Sequence, residues 1–235
     1  MTTILALDTS TPACSVALNI DGVVLEDFRM APRLHNDLIL PMVDQLLQQA
    51  QLTLSDLDAI AFGRGPGSFT GLRISAGVVQ GLAFGADLPV VPVSTLAALA
   101  LEGFQKTSQS HWLAALDARM GEVYMAGYRV DKNAQGYHLE CLVPEAVSKP
   151  DQLPKFTQAF NGVGSGWCYK DTLASLLPEM PSHVLDDLAP RAACIAELAA
   201  IKLAKGEVVS AYDAIPTYLR DEITWEKQAP RIGKR

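Results

Sequence analysis

Basic residues are the minority in this 235-residue chain: 19 Lys and Arg against 26 Asp and Glu, for a net charge of −7. A protein that grips nucleic acid unaided carries a basic patch, because phosphate contacts dominate that affinity. If RNA is involved here, a partner has to supply much of the grip. Cysteine and histidine are scarce, four of each. Cys14, Cys141, Cys168 and Cys194 form no Cys-x-x-Cys pair, which argues against a zinc ribbon or a disulfide frame and for buried thiols in a reducing cytosol. His35, His111, His138 and His183 never fall three or four residues apart, so a helical metal pair is excluded. No uninterrupted apolar run of about 18 residues argues for a membrane span. The opening MTTILALDTS lacks the basic flank and long apolar stretch of a signal peptide, and a cytoplasmic location is expected. A Gly-x-Ser-x-Gly elbow is also missing, which leaves a serine hydrolase without support.

What is present is a globular composition, 49% hydrophobic and 19% charged, long enough for one large domain or two small ones. Residues 3–31 read as three strands: TILALD, then CSVALNID with a hairpin signal at Gly22, then VVLEDFRM. HNDLILPMVDQLLQQA has its apolar residues at helical spacing, with Pro41 either marking the start of the regular helix or kinking it. A buried strand near 58–63, a helix over 69–85 capped by Ser68 or Thr70, the strand LPVVPV and a helix capped by Ser94 or Thr95 follow. After the polar stretch QKTSQSH the pattern restarts with WLAALDA, GEVYMAGYRV, YHLECLVP and QAFNGV, then helices near 167–178 and 189–205. The second half is a looser echo of the first, so two related lobes are expected: 1–105, then 106–215, with a tail over 216–235. Lys227, Arg231, Lys234 and Arg235 give that tail a local basic patch.

Two stretches could carry chemistry. Asp8, Thr9 and Ser10 follow the first strand, where a carboxylate can orient a metal-bound water and hydroxyls can donate to phosphate; the same residues are also common turn formers. GRGPGSFTGLRI, 63–74, alternates glycines ahead of a helix. It is neither a Walker A loop nor a dinucleotide fingerprint, but its amides and the helix N-terminus suit an anion. A tight strand-to-helix turn around Pro66 is the alternative. In the helix that follows, Gly77, Gly81 and Gly85 line one face. Each costs roughly 0.5–1 kcal/mol relative to alanine, so another backbone should approach closely. Packing against the chain's own sheet is favoured over a helix from another subunit, because the helix must cover that sheet. Asp117, Arg119 and Glu122 sit at a strand-turn-strand and either pair across the hairpin or face a cleft. GVGSG, 162–166, is a second candidate cradle or a plain glycine turn.

LALDTSTPACSVAL resembles the first phosphate motif of the actin, Hsp70 and sugar-kinase superfamily. GRGPGSFTGLRI, ALDARMGEVYMAGY and PTYLRDEITWEK then resemble the TsaB (YeaZ) family of bacterial tRNA threonylcarbamoyladenosine biosynthesis proteins, in order and over nearly the whole chain. The resemblance implies an α/β, two-lobed actin-like ATPase (ASKHA) fold of mixed sheets flanked by helices. It implies a required but non-catalytic part in placing a threonylcarbamoyl group on the adenosine beside the anticodon of tRNAs that read codons beginning with A. The transfer would be done by the paralogous TsaD, joined by the P-loop ATPase TsaE, with tRNA met indirectly and no membrane involved. TsaD carries a His-x-x-x-His metal site; aligned on Val93, its histidines fall at Thr95 and Leu99, which cannot replace imidazoles. No cofactor is then required, although weak ATP or ADP binding at Asp8, Thr9, Ser10, Gly65, Gly67 and Ser68 is an expectation. The family also redirects the glycine stripe toward a partner. Helices 35–50 and 69–85 would meet TsaD, or a second copy when TsaD is absent, through His35, Leu38, Leu40, Met42, Arg73, Gly77, Gly81 and Gly85. The competing readings are a nucleotide-binding small-molecule kinase and a peptidase of the same superfamily.

Overall fold

The structure is a computed structural model and describes residues 2–133 and 136–220. The N-terminal part opens with a meander of β1 (Thr3–Asp8), β2 (Ala13–Ile20) and β3 (Val23–Met30). Helix α1 (His35–Ala50), β4 (Ala59–Gly65), α2 (Phe69–Ala86), β5 (Val90–Ser94) and α3 (Thr95–Thr107) follow. The first sheet has the order β3-β2-β1-β4-β5, antiparallel through the meander and parallel from β1 to β5. A second meander, β6 (His111–Arg119), β7 (Glu122–Asn133) and β8 (Gly136–Ser148), is extended by the short β9 (Asn161–Val163) and β10 (Val184–Leu185). Its order, β10-β9-β6-β7-β8, repeats the first: three antiparallel strands, then two parallel ones on the far side of the opening strand.

Helix α5 (Ala192–Ala204) lies against β1, β2, β4 and β5, and also contacts α3. The helix α4 (Lys170–Ser175) lies near the 3₁₀ turn before it, beside the second sheet. The layers therefore run α1 and α2, first sheet, α3 and α5, second sheet, α4. One apolar cluster joins β1, β4, β5, α3, α5, β6 and β7, so both sheets share a core. A second fills the space between the first sheet and α1 and α2. Among the described residues no helix is long and apolar enough to cross a membrane.

Three local readings change. Helix α1 starts at His35 and runs through Pro41. Pro41 has no N–H to offer the Asp37 carbonyl, but both residues are exposed and water can serve that carbonyl. The segment over 167–178 is a 3₁₀ turn and a six-residue helix, stopped ahead of Pro178, and α5 begins only after Pro190. Cys14 and Cys194 are buried as expected, but Cys141 and Cys168 are exposed.

Residues 208–220 form no regular element yet are tied down along their length. Val209 bridges Val90, Gln80 Nε2 donates to the Ala214 carbonyl at 3.1 Å, and the Thr217 N–H donates to the Arg64 carbonyl at 2.7 Å. Arg220 then pairs with Glu122. The basic residues Lys227, Arg231, Lys234 and Arg235 lie outside the described residues.

Candidate functional site

Asp8 ends the central strand of the first sheet, between β2 and β4, and the glycine loop leaves β4 beside it. The chain brings the six expected anion-site residues together, and it packs them against one another. Asp8, Thr9 and Ser10 are at most 2% exposed. Asp8 Oδ1 accepts from the Ser10 N–H at 3.0 Å and the Ser10 hydroxyl at 2.8 Å. Asp8 Oδ2 has no partner and lies against Gly63, where any Cβ would overlap it. The Thr9 hydroxyl donates to the Gly71 carbonyl at 2.7 Å. The Ser68 N–H donates to the Ser10 carbonyl at 2.7 Å, and Gly67 rests on Ser10. The Thr217 carbonyl and the Leu72 side chain fill the space beside Gly65. Ser68 Oγ accepts from the Gly71 N–H and so caps α2.

In this geometry three donors of the expected phosphate cradle face protein acceptors. A phosphate needs donors that face an opening, and the hydroxyls of Thr9 and Ser10 and the Ser68 amide are spent on protein acceptors. Burial also pushes the Asp8 carboxyl up to about 7, against the lowering effect of the Ser10 hydrogen bonds.

The surrounding candidates are closed in the same way. Thr95 is fully buried and its hydroxyl donates to the Pro66 carbonyl at 2.5 Å, tying α3 to the glycine loop. Leu99, one turn on, is fully buried in the core shared by both sheets. Among the described residues no three His, Cys, Asp or Glu side chains cluster to hold a metal ion. Asp117 pairs with Arg119 within its own hairpin at 3.2 Å, while Glu122 pairs with Arg220 rather than across the turn. In GVGSG, Gly164 and Gly166 press on Ala115 and Gly162 on Trp167, which makes this a tight packing turn and not a cradle.

The open surface lies on the other side of α2. A groove of about 710 Å³ runs between α1 and α2, lined by Leu40, Phe69, Arg73, Ile74, Gly77 and Gly81 among others. Gly77, Gly81 and Gly85 are exposed, and a Cβ at any of them would meet nothing within 4 Å. The stripe therefore does not pack on the chain's own sheet. That work is done by the opposite face of α2, through Leu72, Ala76, Val79 and Ala83. Leu40 is 49% exposed, and Arg73 stacks its guanidinium on the Phe69 ring at 3.9 Å. Leu38 is half-buried against the core.

Two expected interface residues point inward. Met42 is fully buried beneath α1. His35 is buried too: its Nε2–H donates to the Thr11 carbonyl at 2.9 Å and is shared with Ala13 at 3.2 Å, which pins the start of α1 to β2. Both side chains are engaged within the chain. Sequence reasoning singled out neither Phe69, 41% exposed and lining the groove, nor Phe84, 84% exposed on the same helix. The available signal was that α2 is apolar on nearly every face, more than covering one sheet requires.

Two sheets of identical strand order enclosing a shared helical layer define a two-lobed α/β protein of the actin-like ASKHA class. The family model described as "TsaD: tRNA N6-adenosine threonylcarbamoyltransferase" matches residues 21–227. The chain is 44% identical to the tRNA threonylcarbamoyladenosine biosynthesis protein TsaB of Escherichia coli K12, over 95% of this chain and 97% of that one. It is 42% identical to the TsaB of Haemophilus influenzae, over 96% of each. Among solved structures it resembles YeaZ from Pseudomonas aeruginosa, with a TM-score of 0.84 and 44% identity over 93% of this chain and all of that one. A second structure from that organism, described as similar to peptidase YeaZ, matches equally well, with a TM-score of 0.84. The chain belongs to the TsaB family.

Proposed function

We propose that this chain is the required, non-catalytic subunit of a cytoplasmic tRNA threonylcarbamoylation complex. It docks a catalytic paralogue, TsaD, through the α1–α2 face, with TsaE as the ATPase of the assembly and tRNA met through the complex. In the absence of TsaD the same face pairs two copies of the chain. No cofactor is required on this subunit. The observation that carries the reading is the contrast on the two sides of α2: a phosphate motif folded shut over its own polar groups, and a glycine-lined apolar groove left open. Obligate partners leave such apolar surface on a free subunit, whereas a working phosphotransfer site leaves its donors free. The buried Thr95 and Leu99, at the positions where TsaD would carry its metal histidines, point the same way.

The likeness of one solved relative to a peptidase suggests a second activity, but the hydroxyl and carboxylate that meet in the motif, Ser10 and Asp8, are at most 2% exposed and out of reach of a peptide. The test is a reconstituted threonylcarbamoylation assay with the other subunits from the same organism, run with this chain, without it, and with Asp8→Asn. The expected outcome is that the chain is required and Asp8→Asn supports full turnover. Steady ATP or casein turnover by the pure chain would overturn the reading. So would loss of tRNA modification in an Asp8→Asn chain that is folded and partner-bound.

A further inference from the structure

We propose that residues 209–218 form a third wall of the docking face, and that the side chains of Tyr212 and Ile215 bind the same catalytic paralogue as α1 and α2. The inference rests on the docking reading above and extends it to a segment with no helix or strand of its own. The segment is held by main-chain bonds and one buried side chain. Val209 bridges Val90, Ala214 is fully buried and receives Gln80, and Thr217 donates to Arg64. Val209 packs on the core and Tyr218 on Phe69, but the side chains of Tyr212 and Ile215 stand out of that tethering. Tyr212 is 87% exposed and Ile215 61% exposed. A segment fixed through its backbone, with aromatic and branched side chains turned to solvent, is a rigid, low-entropy contact surface.

Continuity with the groove identifies the occupant. Tyr218, at the end of the segment, packs its ring 5.3 Å from Phe69, and Arg73 Nε donates to its hydroxyl at 3.4 Å. Phe69 and Arg73 both line the α1–α2 groove. A body seated in that groove meets Tyr218 at its edge, and Ile215 follows Ala214, whose carbonyl is held against α2 by Gln80. A specific interface takes roughly 800 Å² from each partner. Two helices offer only their outer ridges toward that area, and the segment widens the face on the far side of α2.

The experiment measures the dissociation constant of the full chain for the catalytic paralogue by calorimetry, alongside the melting temperature of the free chain. It compares the Tyr212→Ser/Ile215→Ser double variant with Gly81→Leu and with Met180→Ser, an exposed control on the second lobe. The double variant is expected to weaken binding by about tenfold or more, with the free chain's melting temperature unchanged because both side chains are solvent-exposed. If Gly81→Leu weakens binding and the double variant binds as wild type, the third wall is wrong and the α1–α2 reading stands. If neither weakens it, the docking reading itself fails. If the double variant weakens only self-association, the segment serves a second copy of this chain, and the assigned occupant is wrong. Each serine substitution made alone, with its own melting curve, separates lost contact from lost folding.

Discussion

A buried carboxylate with an unpartnered oxygen is unfavourable unless it holds a proton, and Asp8 is in that position. The unfolded chain releases this proton at an ordinary carboxylate pKa, roughly 4; the folded chain releases it only near 7. Between those values the folded state binds more protons, so the Asp8 contribution is fully present below about pH 4 and is lost as pH rises through 7. Glu102 has the same sign. Burial raises it to about 7 against the pull of Arg191 and Lys106, and its Oε2 also lacks a partner. Thermal stability should therefore fall between about pH 4 and about pH 7, and the Asp8→Asn, Glu102→Gln double variant should flatten that slope. The two groups together are worth on the order of a few kcal/mol; melting curves across the range check it. The glycines facing this motif allow no side chain. A Cβ on Gly71 would overlap the Thr9 carbonyl, and Gly71→Ala should cost about 2 kcal/mol or more, read by chemical denaturation. The importance of Asp8, Thr9 and Ser10 was legible in the sequence. Their role was not, because their partners lie about 60 residues away on a loop whose closure depends on the sheet register joining β1 to β4.

At the scale of elements, α2 carries two faces with opposite demands. Its inner residues cover the first sheet, while its outer stripe holds three glycines that touch nothing. Glycine in an exposed helix interior costs roughly 0.8–1 kcal/mol relative to alanine, and no packing within this chain compensates. Replacing Gly77, Gly81 and Gly85 by alanine should therefore raise the free chain's stability by up to about 1 kcal/mol each, measured by urea denaturation. The opposite outcome would mean the stripe packs internally. Gly81→Leu should likewise leave the free chain folded while blocking co-purification with the catalytic paralogue, because a branched side chain fills the groove where a second helix must come close. The sequence period placed α1, α2, α3 and the longer strands, but it gave no sign of the two-residue β10, which is too short to carry a period. It could not say which face of α2 was covered, because a helix apolar all round gives no direction. The family resemblance put His35 and Met42 on the interface helix, but both sit on the face that α1 buries.

At the scale of the molecule, the two sheets are joined by a layer that draws one helix from each half of the sequence. Helix α5 comes after the second sheet in the chain but packs on the first, and its N-terminus is capped from the first sheet by residues more than 160 positions away. The Ala192 N–H donates to Ser15 Oγ at 2.9 Å, the Ala193 N–H to Glu26 Oε1 at 3.0 Å, and Arg191 Nε to Glu26 Oε2 at 2.8 Å. A carboxylate there satisfies helix donors that would otherwise be orphaned and complements the positive end of the helix dipole. No local pattern announces such a cap, since neither Arg191 nor Ala192 is a capping residue and the acceptors sit on strands read separately. The consequence is cooperativity: with α3, α5, β1, β4, β6 and β7 in one apolar cluster, neither lobe can open without exposing the other's core. Calorimetry of the free chain should show a single transition whose calorimetric and van't Hoff enthalpies agree. Glu26→Ala removes the acceptor for both Arg191 and the Ala193 amide, and should lower stability by about 2–3 kcal/mol while leaving one transition. If the variant instead melts in two steps, the cap is what couples the lobes; if wild type already does so, the shared core does not couple them at all.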